Sequence, residues 1–453
     1  MLGAAGAGAS AAVLLAHRAG ALVSGCDPGG SSPYTAALAE AGIPIAWQHS
    51  AVHVLRPDEP TARPERLAVT KALTSIDPDH AELRAAAELG IPAEPWQQVV
   101  ADVAATTGQA LLAVAGTHGK STTTGWLIDL LVRAGRDPSA FVGALLDAQL
   151  AGGTAATARW GGGDMFIVEA DEYAGNFDPY QPQFMVLLNA EWDHPDVFAD
   201  EEAVLGAFER WIRNAPVGAV LVANAEDAGV DRILERIWAD WPGEIVPVDT
   251  DAHGFEIGLA GPANASNALA VVSAGRVLGV PESVIRESLA GFRGVGRRLE
   301  LKGEVGGVVV LDDYGHHPTA IARTLEAVRE RFPGRPVWAV YEPLTYHRTA
   351  SMLDRFADSL ATADHVAIAQ IWAGRDPDTT ITNAQALADA VSARGGPKAV
   401  ATGTVEQTAD YLATAVAPGD VVLVMGGGRS YVIAQRLVEL LDTRATGPKQ
   451  APA

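Results

Sequence analysis

The chain lacks the features that mark secreted and membrane-spanning proteins. It has a single cysteine, Cys26, which excludes an intramolecular disulfide framework and indicates a reducing compartment. No apolar run is long enough to cross a bilayer, and the alanine-rich start carries no basic segment of the kind that opens a signal peptide. We therefore expect a cytoplasmic protein.

Positive charge is also scarce. The chain has 33 Lys and Arg residues against 55 Asp and Glu residues, which gives a formal net charge of -22 at pH 7. Since no basic block offsets this charge, we expect neither a nucleic acid nor a membrane as a partner. The apolar share of 48% and the charged share of 19% are typical of a globular protein. A length of 453 residues predicts two or three domains.

A glycine-rich loop at residues 116–124 dominates the middle of the chain. An apolar strand pattern over 111–115 precedes it, and apolar residues at helical spacing follow it. Lys120 can supply charge to a phosphate, and Ser121 can bind magnesium at a helix N-terminus. The alternative is a strand-to-helix turn with a solvated lysine, which leaves four consecutive hydroxyl residues unexplained. The predicted nucleoside triphosphate contacts are Gly116, Thr117, His118, Gly119, Lys120, Ser121 and Thr122.

Three apolar segments after this loop, at 165–168, 184–188 and 219–222, each end in polar residues. In an open α/β sheet, ligands bind beyond the carboxyl ends of the strands, so these polar groups are expected at the edge that carries the loop. Glu169 is a candidate magnesium ligand beside Ser121. His194 is a second candidate, although histidine is a less usual magnesium ligand. The alternative for the acidic residues is a solvated turn.

A second glycine-rich stretch opens the chain. An alanine-rich helix is predicted after it, to about Arg18, and a short strand over 21–24. Asp27 lies about 20 residues beyond the glycines, where a nucleotide-binding βαβ unit places a carboxylate. The glycines follow G-x-x-G-x-G spacing, which also suits a plain helix entry, and only Met1 and Leu2 stand where the first strand is expected. The candidate binding residues are Gly3, Gly6, Gly8, Ser10 and Asp27.

The last third predicts another parallel α/β unit. The histidine pair His316 and His317 does not predict a zinc site, because the chain has one cysteine and no H-E-x-x-H motif. Residues 443–453 are polar with Gly and Pro and are predicted to be a disordered tail. The predicted strands are 308–311, 337–341, 366–369 and 421–425, and the predicted helices are 320–331, 351–361 and 384–393.

Together these segments resemble the Mur ligases, the ATP-dependent amide-forming enzymes of peptidoglycan synthesis. The resemblance implies an α/β protein of three domains: a Rossmann-like UDP-sugar-binding domain over 1–108, a central P-loop ATPase with a parallel-rich sheet over 109–296, and a Rossmann-like C-terminal domain over 297–442. The segments that carry it are 3–10, 23–27, 115–124, 169–172, 189–194, 296–300, 312–318 and 345–349.

The resemblance also implies a reaction. ATP, with Mg²⁺, would phosphorylate the carboxylate of UDP-N-acetylmuramate, and the amine of L-alanine would attack the acyl phosphate. Lys120 would neutralise the phosphates, Ser121 and Glu169 would hold one magnesium ion, and His194 would serve a second. The residues implied elsewhere are Asn264 and Asp313 for the nucleoside, Arg298 for the ATP phosphates, and Tyr314, His316 and Arg348 for the amino acid.

Several departures from the family pattern leave more than one function open. Ala263 stands where the family has a histidine before a long helix. Asn264 and Asn267 are three apart and share one face of that predicted helix, where they could contact a base or ribose or simply cap the helix. Tyr173 and Glu342 favour the related enzyme that joins a whole tripeptide to the UDP-sugar. The sequence is also compatible with a non-catalytic nucleotide-binding homologue and, more remotely, with an NAD-dependent dehydrogenase. We expect a monomer or a weak homodimer.

Overall fold

The computed structural model describes residues 1–250, 254–374, 376, 378–396 and 398–446. These residues divide into two compact units. The first contains Met1–Gly258 and Ser266–Val295, and the second contains Leu259–Ala265 and the chain from Gly296 onward. Each unit is an α/β structure built on parallel strands.

The first unit begins with a small parallel sheet made of very short strands. β1 (Gly25–Cys26) pairs with β2 (Ile45–Ala46), and β3 (Leu67–Val69) pairs with β4 (Ala93–Pro95). Leu2 forms parallel bridges to Cys26 and to Val69 and so joins the two pairs. The helices of this segment are α1 (Ala7–Arg18), α2 (Ala36–Glu40), α3 (Val52–Leu55), α4 (Lys71–Ile76), α5 (Ala81–Glu88) and α6 (Trp96–Thr107), with a 3₁₀ turn at Pro60–Ala62.

The strand predicted over 21–24 is wrong by a few residues. Leu22 is fully exposed, and the strand begins at Gly25, whose N–H donates to Pro44 O at 3.0 Å. Cys26 N–H donates to Met1 O at 3.0 Å. The predicted helix over the alanine-rich stretch is confirmed by α1, which ends at Arg18.

The larger sheet of the first unit has seven strands in the order β11-β10-β9-β5-β8-β6-β7. Its ladders are parallel except that of β7, which is antiparallel to β6. The strands are β5 (Ala110–Ala115), β6 (Ser139–Leu146), β7 (Ala156–Arg159), β8 (Met165–Ala170), β9 (Phe184–Leu187), β10 (Val220–Ala223) and β11 (Glu244–Pro247). The helices are α7 (Lys120–Arg133), α8 (Ala148–Ala151), α9 (Glu201–Arg213), α10 (Ala228–Ile237), α11 (Pro262–Val277) and α12 (Glu282–Gly291), with a 3₁₀ turn at Tyr173–Gly175. The residues of α11 up to Ala265 are assigned to the second unit.

One hydrophobic core connects the two sheets of the first unit. Buried residues from α1 and α6 belong to the same cluster as residues of β5 to β10. Thr157 of β7 donates to Ala7 O at 2.8 Å and lies 3.2 Å from the Ser10 hydroxyl. The boundary predicted after residue 108 therefore separates two sheets that share a core. The boundary predicted after residue 296 lies beside the division between the units.

The second unit is a six-stranded sheet in the order β12-β13-β17-β14-β15-β16, parallel except for β12. The strands are β12 (Glu300–Val305), β13 (Val308–Asp313), β14 (Val337–Tyr341), β15 (His365–Ala369), β16 (Ala399–Gly403) and β17 (Val421–Met425). The helices are α13 (Pro318–Arg331), α14 (Tyr346–Ser351), α15 (Leu353–Leu360), α16 (Ala384–Ser392), α17 (Val405–Ala415) and α18 (Ser430–Thr446).

Two predicted boundaries in this unit differ from the structure. The helix predicted over 351–361 is divided into α14 and α15, because Met352 leaves helical geometry at φ -117°. The tail predicted from residue 443 is helical as far as Thr446, and residues 447–453 lie outside the described part of the chain. Within that described part, every helix is too short or too polar to cross a bilayer.

Replacing Leu221 by Ala tests the core of the first unit. Leu221 is fully buried in β10, so the loss of its side chain should leave a cavity and lower the free energy of unfolding by about 2–5 kcal/mol. The matched control is the exposed Leu22→Ala, which should cost less than about 0.5 kcal/mol. Urea unfolding followed by tryptophan fluorescence compares the two midpoints. Equal midpoints would contradict the assigned core.

Candidate active site

The phosphate-type loop follows β5 and leads directly into α7. Gly116 has φ +140° and Gly119 has φ +85°, a range that side chains rarely adopt. A Cβ on Gly116 would come within 3.1 Å of the Asn189 backbone, and one on Gly119 would clash with the Asn267 side chain. The loop therefore needs glycine at both positions for conformation and for space.

The end of β9 holds this loop in place. Asn189 Oδ1 accepts a hydrogen bond from His118 N–H at 2.7 Å, and its Nδ2 donates to His118 O at 3.0 Å. The Thr117 hydroxyl donates to Glu191 O at 3.0 Å and accepts from Glu191 N–H at 2.9 Å. Thr122 is buried in the first turn of α7. Asn189 was not among the candidate residues, and its position after an apolar strand was the signal that could have identified it.

Lys120 lies over the loop in a buried ion pair. Its Nζ is 2.6 Å from Gly116 O, 2.8 Å from Glu172 Oε2 and 3.9 Å from Asp171 Oδ1. The side chains of Lys120 and Glu172 are 12% and 2% exposed. Burial lowers the pKa of Lys120, but the carboxylates of Glu172 and Asp171 outweigh it and raise that pKa above its usual value. Lys120 is therefore a cation at neutral pH.

Ser121 and Glu169 meet at the start of α7, as predicted. The Ser121 hydroxyl donates to Glu169 Oε1 at 3.0 Å, and Gly143 N–H donates to Oε2 at 2.6 Å. A Cβ on Gly143 would come within 2.8 Å of Glu169 Oε1, so the glycine keeps space open around the carboxylate. A hydroxyl and a carboxylate beside a helix N-terminus are the oxygen ligands that Mg²⁺ prefers, and the pair fits that ion.

His194 lies with a different set of carboxylates. Its Nε2 is 4.0 Å from Glu172 Oε1, and ligand atoms of Asp171, Glu172 and His194 all lie within 4.8 Å of one another. The backbone of His194 has φ +57°, and its ring lies 4.8 Å from that of Tyr173. Burial raises the pKa of Glu172 to about 7. Asp171 and Glu172 are functional candidates in addition to Glu169, which precedes them in the same acidic segment.

The N-terminal glycine loop is closed by Asp27. Its Oδ2 accepts from Ala5 N–H at 3.0 Å, and Gly6 N–H donates to Gly3 O at 3.3 Å. A Cβ on Gly8 would clash with the Trp96 ring. The buried Ser10 hydroxyl donates to Ala7 O at 2.9 Å. Gly8 and Ser10 thus have packing roles inside the first unit.

In the second unit, Asp313, at the end of β13, organises the loop that follows. Its Oδ2 accepts from Leu299 N–H at 2.9 Å, and its Oδ1 accepts from Gly315 N–H at 2.7 Å. The Arg298 guanidinium lies 5.0 Å from the Tyr314 ring centre, and the Tyr314 and His316 rings are 5.2 Å apart. The structure thus brings together four of the residues predicted for the third domain, Arg298, Asp313, Tyr314 and His316.

Two further predicted residues lie elsewhere in the second unit. Arg348 is buried in α14, after a Thr345 residue with φ +62°. Asn264 donates through Nδ2 to Ala260 O at 2.7 Å. Of the two asparagines predicted to share a helix face, only Asn267 belongs to the unit that carries the phosphate-type loop.

A buried polar network surrounds Arg297 near the carboxyl ends of β13 and β17. Arg297 donates to Asp312 Oδ2 at 3.2 Å, to Gly426 O at 2.8 Å and to Ser430 Oγ at 2.8 Å. Burial raises the pKa of Asp312 to about 6 and that of Glu342 to about 7. A Cβ on Gly428 would come within 2.9 Å of Glu342 Oε2. The two carboxyl groups are therefore buried in the unit that carries the predicted amino-acid site.

Comparison with known proteins decides which family has this arrangement. Profiles described as "Mur ligase family, catalytic domain", "Mur ligase middle domain" and "Mur ligase, glutamate ligase domain" match residues 1–107, 114–242 and 297–428. The UDP-N-acetylmuramate–L-alanine ligase of Desulfitobacterium hafniense is 34% identical over 96% of this chain and 97% of its own length. The chain belongs to the Mur ligase family.

Solved structures show the same fold. The UDP-N-acetylmuramate-alanine ligase of Thermotoga maritima superposes with a TM-score of 0.79 at 24% identity, over 98% of each chain. A murein peptide ligase of Psychrobacter arcticus superposes with a TM-score of 0.73 at 24% identity, over 97% of this chain and 98% of its own. The predicted α/β class with three Mur ligase domains is thereby confirmed.

Replacing Glu342 by Gln tests the buried carboxyl through the pH dependence of stability. The pKa of Glu342 is raised from 4.5 in the unfolded chain to about 7 in the folded unit. Between pH 4.5 and pH 7 the folded unit therefore keeps a proton on Glu342 that the unfolded chain has released. The contribution of Glu342 to the free energy of unfolding is therefore complete below pH 4.5 and is lost as the pH rises through 7. The variant should be more stable than wild type at pH 8, by up to about 3 kcal/mol at about 1.4 kcal/mol per pKa unit, and no more stable at pH 4.5.

The measurement is urea unfolding of the wild type and the variant at both pH values. Glu330→Gln is the matched control, because Glu330 is exposed on α13 of the same unit. A gain from Glu342→Gln that is the same at pH 4.5 and pH 8 would rule out the burial effect.

Proposed function

We propose that this Mur ligase joins L-alanine to UDP-N-acetylmuramate at the expense of ATP. The observation that carries the proposal is the loop with Lys120 over it and the Ser121–Glu169 pair at its helix end. Ligases of that name match almost the full length of the chain. A cytoplasmic location suits both the nucleotide substrates and the single, reduced cysteine.

The reaction has two steps. A carboxylate oxygen of UDP-N-acetylmuramate attacks the γ-phosphorus of ATP, so that a new P–O bond forms, the bond to ADP breaks, and an acyl phosphate results. The amine nitrogen of L-alanine, having lost a proton to solvent, then attacks the acyl carbon, so that a C–N bond forms. The C–O bond to phosphate breaks, and the nitrogen gives up a second proton to leave the amide. All the reacting groups except the amine are anionic, so positioning and charge neutralisation dominate the catalysis.

The first unit supplies charge to the phosphates. Lys120 would move from Glu172 and the loop carbonyls to the β- and γ-phosphate oxygens, while the backbone N–H groups of the loop hold them. Ser121 and Glu169 would hold one Mg²⁺ ion, and His194 with Asp171 and Glu172 would hold another. When bound, Mg²⁺ neutralises charge on the transferring phosphoryl group.

The remaining candidate residues divide between donor and acceptor substrates. Arg348 can bind an amino-acid carboxylate with two parallel hydrogen bonds, and Tyr314 and His316 would face the same substrate. Arg298 would contact the ATP phosphates, and Asn264 and Asp313 the nucleoside. The proposed contacts for the UDP-sugar are Gly3, Gly6, Gly8, Ser10 and Asp27. We propose a monomer or a weak homodimer.

Acceptor choice tests the substrate assignment. The protein with ATP, Mg²⁺ and UDP-N-acetylmuramate should release phosphate when L-alanine is added, and much less with the tripeptide L-alanyl-γ-D-glutamyl-meso-diaminopimelate. Mass spectrometry of the product identifies the new amide. Phosphate release with the tripeptide but not with L-alanine would contradict this assignment. It would favour the related enzyme that joins a whole tripeptide to the UDP-sugar, the alternative that Tyr173 and Glu342 support.

Replacing Lys120 by Ala tests whether the loop is catalytic. Loss of the buried ammonium should lower kcat at least about a hundredfold, because Lys120 would no longer neutralise the β- and γ-phosphate oxygens. Lys398→Ala is the matched control, since Lys398 is exposed in the second unit. An inactive wild type that still binds ATP in calorimetry would favour the non-catalytic homologue.

A further inference from the structure

A group of metal-binding side chains lies in the N-terminal sheet, outside the phosphate-type loop. Cys26 is the last residue of β1, His49 follows β2, and Glu82 is in the first turn of α5. We refer to these three residues as the Cys26 cluster. They are separated by 23 and 33 positions, and no sequence motif connects them.

The distances in the Cys26 cluster fit one small cation. Cys26 Sγ lies 3.3 Å from His49 Nδ1 and 3.4 Å from Glu82 Oε1, and His49 Nδ1 lies 3.7 Å from that oxygen. Around a tetrahedral zinc ion, with bonds of about 2.3 Å to sulfur and about 2.0 Å to nitrogen and oxygen, ligand atoms lie about 3.3–3.5 Å apart. The two separations from Cys26 Sγ fall in this range, and the 3.7 Å between His49 and Glu82 is longer by a few tenths of an ångström, so a small movement of the His49 side chain would complete one face of such a tetrahedron.

The surroundings hold the ligands in position. Glu82 Oε1 accepts from Ser50 N–H at 2.7 Å and lies 3.1 Å from His53 Nδ1. The His49 ring lies 4.6 Å from the His80 ring, edge to face, and His80 Nδ1 accepts from Glu82 N–H at 3.3 Å. Hydrogen bonds of this kind orient the ligands of metal sites.

Two of the three side chains of the Cys26 cluster are buried, and burial changes the protonation of the ligand atoms. Cys26 is 3% exposed and Glu82 1%, whereas the His49 side chain is 19% exposed and offers a path for an ion. Burial lowers the pKa of His49, which keeps the ring a neutral ligand. Burial and then Glu82 raise the pKa of the Cys26 thiol, so the thiol keeps its proton in the absence of metal. On binding, a cation would take the place of that proton, which passes to solvent.

We propose that Cys26, His49 and Glu82 bind a Zn²⁺ ion. A thiolate, an imidazole and a carboxylate select zinc and not magnesium, which takes oxygen ligands. Water or His53 completes the coordination. The ion ties β1, the loop after β2 and α5 together, and so stabilises a sheet whose strands are two or three residues long.

Cobalt(II) is the probe that isolates this site. Because Cys26 is the single cysteine of the chain, a near-ultraviolet thiolate-to-cobalt charge-transfer band reports on this residue alone, whatever metal binds near the phosphate-type loop. The full-length protein is stripped of metal, kept reduced with a phosphine and titrated with Co²⁺ without nucleotide. We expect the band to saturate at one equivalent and to disappear when Zn²⁺ is added.

Substitutions distinguish a metal site formed by all three side chains from binding of cobalt by Cys26 alone. Cys26→Ser should abolish the band, and His49→Ala and Glu82→Gln should each weaken Co²⁺ binding at least about tenfold. His17→Asn, a partly buried histidine in α1, is the matched control and should bind as wild type does. If circular dichroism shows that Glu82→Gln is unfolded, His49→Ala decides. The proposal is overturned by a wild type without the band, or by a band that His49→Ala leaves unchanged.

Discussion

The buried ion pair between Lys120 and Glu172 is the constraint on which the nucleotide-binding edge depends. Removing an ammonium and a carboxylate from water costs several kcal/mol for each ion, and only close pairing offsets that cost. Pairing requires that β5 and β8 end together, and their register matches Ala115 with Ala170. Because a slip of one residue would turn every side chain of a strand to the opposite face, the register of these two strands and the charge pair are fixed together.

The second unit also contains a buried ion pair, in which the cation is the Arg297 guanidinium. Arg297 lies among Asp312, Gly426 and Ser430, again where parallel strands end. In both units the carboxyl group paired with the buried cation has a raised pKa, Glu172 in the first and Asp312 in the second. In a chain with a net charge of -22, cations held in this way offset part of the surrounding negative charge locally.

The sequence was sufficient to predict local features and insufficient for those that depend on distant segments. The loop at Gly116 and the Ser121–Glu169 pair were predictable, because a strand, a glycine turn and a helix follow one another and parallel strands end at one edge. The closeness of Glu172 to Lys120 was not, since β8 extends to Ala170 and the 3₁₀ turn at Tyr173–Gly175 then redirects the chain. Nor could the core shared by α1 and β7 be read from residues separated by about 150 positions.

In the N-terminal sheet, side-chain contacts contribute more to stability than the few backbone hydrogen bonds between its strands. Strands of two or three residues form few ladder hydrogen bonds, and an isolated pair of that length has little stability in water. Leu2 joins the pairs through two bridges only. The contacts that tie distant segments of this sheet instead converge on Glu82, which is bonded to Ser50 and lies beside Cys26 and His53. A buried carboxylate thus organises this sheet as Glu172 organises the nucleotide edge, but with a thiol and imidazoles as partners in place of an ammonium, and that difference makes the site suited to a soft metal ion.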